Sequence, residues 1–140
     1  MEAIPFRIIG MKVDNFQLIE SAIQTHENVD VRTEYRFGVN KENHSVACRI
    51  DYMYVQQEMS LLNLSLICYF DVQEDAFHRM FQGDKLVLPP YFSQYLAMIN
   101  VGAARGEIHA RCEAADSVLK NAILPPINLT EALADPVVID

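Results

Sequence analysis

Strict two-residue alternation between Val29 and Val72 constrains this chain more than any other feature. Val29, Val31, Thr33, Tyr35, Phe37 and Val39 fall on one face of an extended segment, and Asp30, Arg32, Glu34 and Arg36 on the other. Val46–Gln57 repeats the pattern, with Val46, Cys48, Ile50, Tyr52 and Tyr54 opposing Ala47, Arg49, Asp51 and Met53. Leu62, Leu64, Leu66, Cys68, Phe70 and Val72 form a third apolar face, with Asn63, Ser65 and Asp71 behind it. Asn40-Lys41-Glu42-Asn43 and Glu58-Met59-Ser60 are turns by composition. One-sided strands joined by short turns predict an antiparallel meander with one face buried.

Phe6–Phe16 predicts a weaker strand with a mixed face, interrupted at Gly10. The connection Ile19–Asn28 is too long for a hairpin. A first strand, a long crossing connection and a meander fit a four-stranded Greek key.

Asp75 to Leu88 reads as irregular, with one helical turn around Phe77–Phe81. Pro90 then opens a helix, because proline is tolerated in the first turn and stops what precedes it. Its apolar stripe is Phe92, Leu96, Ile99 and Ala103, flanked by Tyr91, Tyr95 and Met98. It continues, kinked or broken near Gly102–Gly106, to about Ala115. Pro125-Pro126 mark a second boundary, and Asn128 with Glu131 predicts a capped short helix ending before Pro136. The fold class is α+β, in one domain over 1–140.

An apolar fraction of 51% supports a packed core. Net charge is −8 with Lys and Arg scattered singly, which disfavours nucleic acid. Met1–Gly10 carries Glu2 and Arg7 and no apolar run, so no secretory signal is read. Leu61–Phe70 is broken by Asn63 and Ser65 and is too short to span a bilayer. Cys48, Cys68 and Cys112 are odd in number and widely spaced, which points to reduced, buried thiols in a cytoplasmic protein.

No phosphate-binding loop is present. His109, Cys112 and Glu113 share helical spacing, but an exposed His109–Glu113 pair is the simpler expectation, and neither metal nor cofactor is predicted. His26 and His44 sit in loop or turn contexts as surface residues. His78 lies near Glu74 and Asp75 without a recognisable nucleophile. A small α+β enzyme using His78 or His109 is the lowest-ranked alternative. Asp51 and Asp71 read as solvated strand residues. Gly102, Ala103, Gly106 and Ala110 recur at helical spacing, and either relieve crowding against the sheet or let helices of two subunits approach closely.

Several short motifs resemble the SecB export-chaperone family. Pro89-Pro90-Tyr91 is similar to the Phe-Pro-Tyr signature that opens its first long helix, and Leu124-Pro125-Pro126-Ile127-Asn128-Leu129 to the Leu-x-Pro-Val-Asn-Phe signature before its second. Asp71-Val72-Gln73 followed by Phe77 resembles its Glu-Val-Gln and downstream Phe, and Lys12 to Phe16 its first strand. Arg105-Gly106 resembles an Arg-Gly near the first helix end, at a greater distance from Asn128.

The resemblance implies an ATP-independent holding chaperone that binds unfolded or preprotein segments in apolar grooves, assembled as a tetramer, a dimer of dimers. The expected peptide-binding residues are Phe16, Ile19, Ile23, Tyr35, Phe37, Phe77, Leu129 and Leu133, with core packing an equal reading for Tyr35 and Phe37. The expected oligomer interface is Leu96, Ile99, Gly102, Ala103 and Gly106. The sequence ends at Asp140 without the acidic tail such chaperones offer the SecA translocase, and only Asp71 matches an acidic position the family uses for docking, which counts against that partner. The alternative within the same fold is a dedicated binder of one partner, an antitoxin or a single exported protein.

Overall fold

A computed structural model describes residues 3–19 and 28–140. The alternating segments form β2 (Asp30–Asn40), β3 (Ser45–Gln56) and β4 (Met59–Val72), preceded by β1 (Phe6–Leu18). All are antiparallel, in the order β1-β4-β3-β2, which is the expected Greek-key arrangement. The registers carry the apolar residues onto one face: Phe37 opposes Cys48, Cys48 opposes Cys68, and Cys68 opposes Met11. On the central strands that face is sealed, with Val46, Cys48, Ile50, Leu62, Leu64 and Phe70 at 0% exposure.

β1 is not interrupted at Gly10. Two register shifts, between Ile8 and Gly10 and between Val13 and Asn15, absorb the mixed pattern. Bulges of this kind re-aim side chains without ending a strand, and Ile8, Ile9 and Met11 are left exposed on a sheet edge.

The stretch expected to be irregular is ordered. It forms α1 (Glu74–Arg79), β5 (Phe81–Gln82) and β6 (Lys85–Leu88), turning at Gly83 with φ 66°. β7 (Val137–Ile139) then pairs with β6, giving a second sheet in the order β5-β6-β7. Strands this short show no legible alternation, and β7 pairs with a segment far away in sequence.

The long helix α2 (Pro90–Ala114) runs without a break through Gly102 and Gly106, which removes the broken-helix alternative. Each mid-helix glycine costs roughly 1 kcal/mol relative to alanine, whereas burying one large apolar side chain contributes about 1.5–3 kcal/mol. Phe92, Leu96, Val101 and Ile108 are all buried, so packing wins. The buried row runs Phe92, Leu96, Asn100, Ala104, Ile108 and Cys112, and Ile99 and Ala103 lie half-buried beside it.

Asn100 sits at the centre of this contact at 0% exposure. Its Nδ2 donates to the Cys48 carbonyl at 2.9 Å and the Leu66 carbonyl at 3.0 Å, while its Oδ1 accepts from the Tyr52 hydroxyl at 2.8 Å. One amide therefore fixes α2 on the two central strands. The neighbouring Tyr54 hydroxyl is buried and has no hydrogen-bond partner among the described residues. Tyr54→Phe is thus expected to be neutral or stabilising, and Tyr52→Phe to destabilise by about 0.5–1.5 kcal/mol in urea unfolding.

Burial pushes the Tyr54 hydroxyl up from 10 to about 12 and the Cys68 thiol from 9 to about 11. The unfolded chain then releases these protons first, so their contribution is complete below the unfolded values and lost as pH rises through the folded ones. Stability is expected to fall between about pH 9 and pH 12, which urea unfolding across that range measures. All three cysteines are free and buried.

Beyond α2, Asp116 at φ 51° reverses the chain. A short 3-10 turn (Val118–Asn121) follows, and the segment runs back along the helix. Arg105 donates to the Leu124 and Pro125 carbonyls at 2.9 and 3.3 Å, and Gln94 to the Leu133 carbonyl at 3.0 Å. Between these anchors lies α3 (Leu129–Ala132), whose Glu131 N–H is capped by Asn128 Oδ1 at 3.2 Å, as the Asn128/Glu131 spacing predicts.

Candidate functional site

The residues expected to bind peptide do not form one groove. Phe16 is half-buried on β1 with the Arg111 guanidinium 5.0 Å over its ring, and Ile19 follows it, partly exposed. Tyr35 and Phe37 are half-buried on β2, at the opposite edge of the sheet. Three strand spacings separate the two edge strands, roughly 14 Å. Phe77 is 1% exposed, its ring 5.3 Å from Phe81, and Leu133 is 8% exposed. Both are core residues in this chain, so an incoming segment cannot reach them without local opening. Ile23 and His26 lie outside the described residues.

Leu129 does line an open depression. Together with Tyr91, Tyr95, Met98 and Ile127 it borders a groove of about 390 Å³ between α2 and the returning C-terminal segment. Tyr95 and Met98 are more than half exposed, at 51% and 53%. The groove is held open by its supports. Arg105 and Gln94 tie down the returning segment, and the Phe6 ring packs edge-on at 5.5 Å from Tyr95 and 5.6 Å from Phe92. Tyr95, Met98 and Ile127 were not anticipated as a site. Tyr95 and Met98 carry only the signal of an apolar flank beside the buried helical row, and Ile127 only its place in the Leu124–Leu129 motif; nothing local says that the two face each other across a groove.

Farther along α2, Gly102 and Gly106 are exposed, and a Cβ placed on either meets nothing within 4 Å. Crowding against the sheet therefore does not account for these glycines. Met11, Val13, Gly102, Ala103, Gly106 and Ala110 border a second depression of about 430 Å³ beside β1. Leu96 is 0% exposed inside the chain, so it cannot contribute to a subunit interface; Ile99 and Ala103 retain partial exposure.

The titratable groups are mostly paired at the surface. His109 Nε2 lies 3.1 Å from Glu113 Oε2, while Cys112 is buried, so these three residues do not converge. His78 lies on a different helix, α1, facing Glu74 at 3.7 Å. On the outer sheet face Arg49 bridges Asp14 at 2.7 Å and Asp51 at 3.1 Å, and its hydrogen bond holds the Asp14 carboxyl below the usual range. Asp71 is paired with Arg7 at 3.3 Å.

Among the described residues no helix is long and apolar enough to cross a membrane. No family model matches the chain, and no curated protein is similar to it. Among solved structures it is similar to the SecB-like chaperone Rv1957 of Mycobacterium tuberculosis, determined in complex with a ChAD peptide from the Rv1956 HigA1 antitoxin. The TM-score is 0.59 at 10% identity, over 88% of this chain and 90% of that one. At this identity the likeness is one of fold: the chain has the SecB-like α+β fold, a four-stranded antiparallel sheet followed by a long helix and a short one.

Proposed function

We propose that this chain is a SecB-like holding chaperone of the cytoplasm that binds unfolded or preprotein segments without ATP. The observation that carries this reading is the rigid, open apolar groove formed by Tyr91, Tyr95, Met98, Ile127 and Leu129 on a SecB-like fold. An extended segment lays an apolar side chain into it, and each buried apolar Å² contributes about 25 cal/mol. One groove gives weak binding; several, joined by one long client on an oligomer, raise avidity strongly. Binding the unfolded state and not the native one delays folding by mass action.

A dimer of dimers needs two self-complementary patches. Two candidates are available: the β1 edge with exposed Ile8, Ile9 and Met11, and the α2 stripe of Ile99, Gly102, Ala103 and Gly106. Gly106→Leu is expected to halve the native mass while leaving the fold intact, because leucine is the better helix former and its side chain meets open space in the single chain. Native mass spectrometry with circular dichroism reads both; an unchanged mass removes α2 from the interface. In the export version of this reading, Asp71 contributes to SecA docking, and Asp71→Asn is expected to weaken that association.

The second reading is a dedicated binder of one partner, and the antitoxin peptide carried by Rv1957 supports it. A labelled, permanently unfolded polypeptide titrated with the protein in the absence of nucleotide separates the two. Saturable binding of unrelated unfolded chains supports general holding. Binding of one partner and no others supports the dedicated role, and binding of neither contradicts both.

A further inference from the structure

We propose that His44, Glu74 and His78 form a binding site for a divalent late first-row transition ion of the zinc class, fastening the β2–β3 turn to α1. The donors converge from two separate places in the sequence. His44 closes the turn between β2 and β3, and Glu74 and His78 stand one helical turn apart on α1. His44 Nε2 lies 3.9 Å from Glu74 Oε1, and His78 Nε2 lies 3.7 Å from the same oxygen. All three ligand atoms fall within 4.8 Å of one another, and among the described residues no other three such donors converge.

Donors at about 2.0–2.1 Å from a tetrahedral ion stand about 3.3 Å apart. The two Glu74 distances must therefore close by about half an ångström, and the two imidazole nitrogens, within 4.8 Å of each other, by up to about 1.5 Å through rotation of the exposed His78 ring. Glu74, with its side chain 66% exposed, is free to turn by the smaller amount. The other supports are rigid. The His44 backbone sits in the left-handed region at φ 55°, which few non-glycine residues adopt. Its carbonyl accepts from the Val72 N–H at 2.9 Å, and its ring lies 5.4 Å from that of buried Phe77. α1 is fixed by Gln73, whose Oε1 accepts from the Ala76 N–H at 2.8 Å.

An i,i+4 His–Glu pair on a helix is an ordinary surface feature, and His109–Glu113 is such a pair here. That explanation covers Glu74 and His78 and leaves His44 unexplained. Two imidazoles and one carboxylate suit zinc and its neighbours, whereas calcium and magnesium favour oxygen donors throughout. Three protein ligands leave one position for water or an exchangeable group. An ion held this way binds the folded chain only, and so raises its stability with concentration.

Isothermal titration of the full chain with zinc chloride, at neutral pH and without chelator, tests the site. One ion per chain is expected. His44→Gln and His78→Gln should each weaken it at least tenfold, and His109→Gln should leave it unchanged. Zinc should raise the Tm of the wild type but not of the His44 and His78 variants. All three variants should melt like the wild type in EDTA, since the substituted side chains are partly exposed. Binding that survives both His44→Gln and His78→Gln, or no binding at millimolar zinc, overturns the proposal.

Discussion

Asn100→Ala should lose about 2–4 kcal/mol of folding stability, since it leaves buried polar groups unpaired and opens a cavity. The size follows from position. Asn100 is 0% exposed, and its amide makes three hydrogen bonds at 2.8–3.0 Å, to the Tyr52 hydroxyl and to the carbonyls of Cys48 and Leu66. Removing it strands the Tyr52 hydroxyl in an environment whose burial already pushes that group's pKa upward. Asn100→Asp should be worse than alanine, because a carboxylate then faces two carbonyl oxygens and must take up a proton to remain buried. Urea unfolding measures both. A loss below about 0.5 kcal/mol for Asn100→Ala would mean that the helix is held to the sheet by apolar contact alone.

Tyr95→Asp combined with Leu129→Asp should weaken polypeptide binding by one to two orders of magnitude. An apolar client side chain burying in the groove gains about 1.5–3 kcal/mol, and two carboxylates at its walls cancel that gain. Tyr95 is 51% exposed and Leu129 half-buried, so the substitutions fall on the surface rather than in the core. Circular dichroism and native mass should match the wild type, which separates lost binding from lost structure. Paired changes at Tyr35 and Phe37, on the far edge strand, should leave this groove's affinity unchanged.

The main sheet was legible because alternation is a local signal, and β2, β3 and β4 follow it to within a few residues. The capped start of α3 was legible for the same reason: Asn128 and Glu131 meet within one turn. The second sheet was not, because Phe81–Gln82, Lys85–Leu88 and Val137–Ile139 are too short to show a period and gain their order from pairing. The α2 stripe was read one residue out of phase beyond Leu96. An apolar pattern favoured Ile99 and Ala103, while the chain buries polar Asn100 instead, since its amide meets hydrogen-bonding partners in the sheet. The groove shared this limit. Leu129 was singled out by its motif, but Tyr95 and Met98 become a site only when the C-terminal segment folds back, which Arg105 and Gln94 enforce from a distance. His44 similarly joins Glu74 and His78 only through the pairing of Ser45 with Asp71.

The central claim is that this fold holds unfolded chains, and refolding kinetics of a slow-folding client test it most directly. With the protein in excess and no nucleotide present, the client's refolding should slow and its aggregation should fall. The Tyr95→Asp, Leu129→Asp variant should restore the unassisted rate. A client that refolds and aggregates at the same rate with and without the wild-type protein would contradict the account.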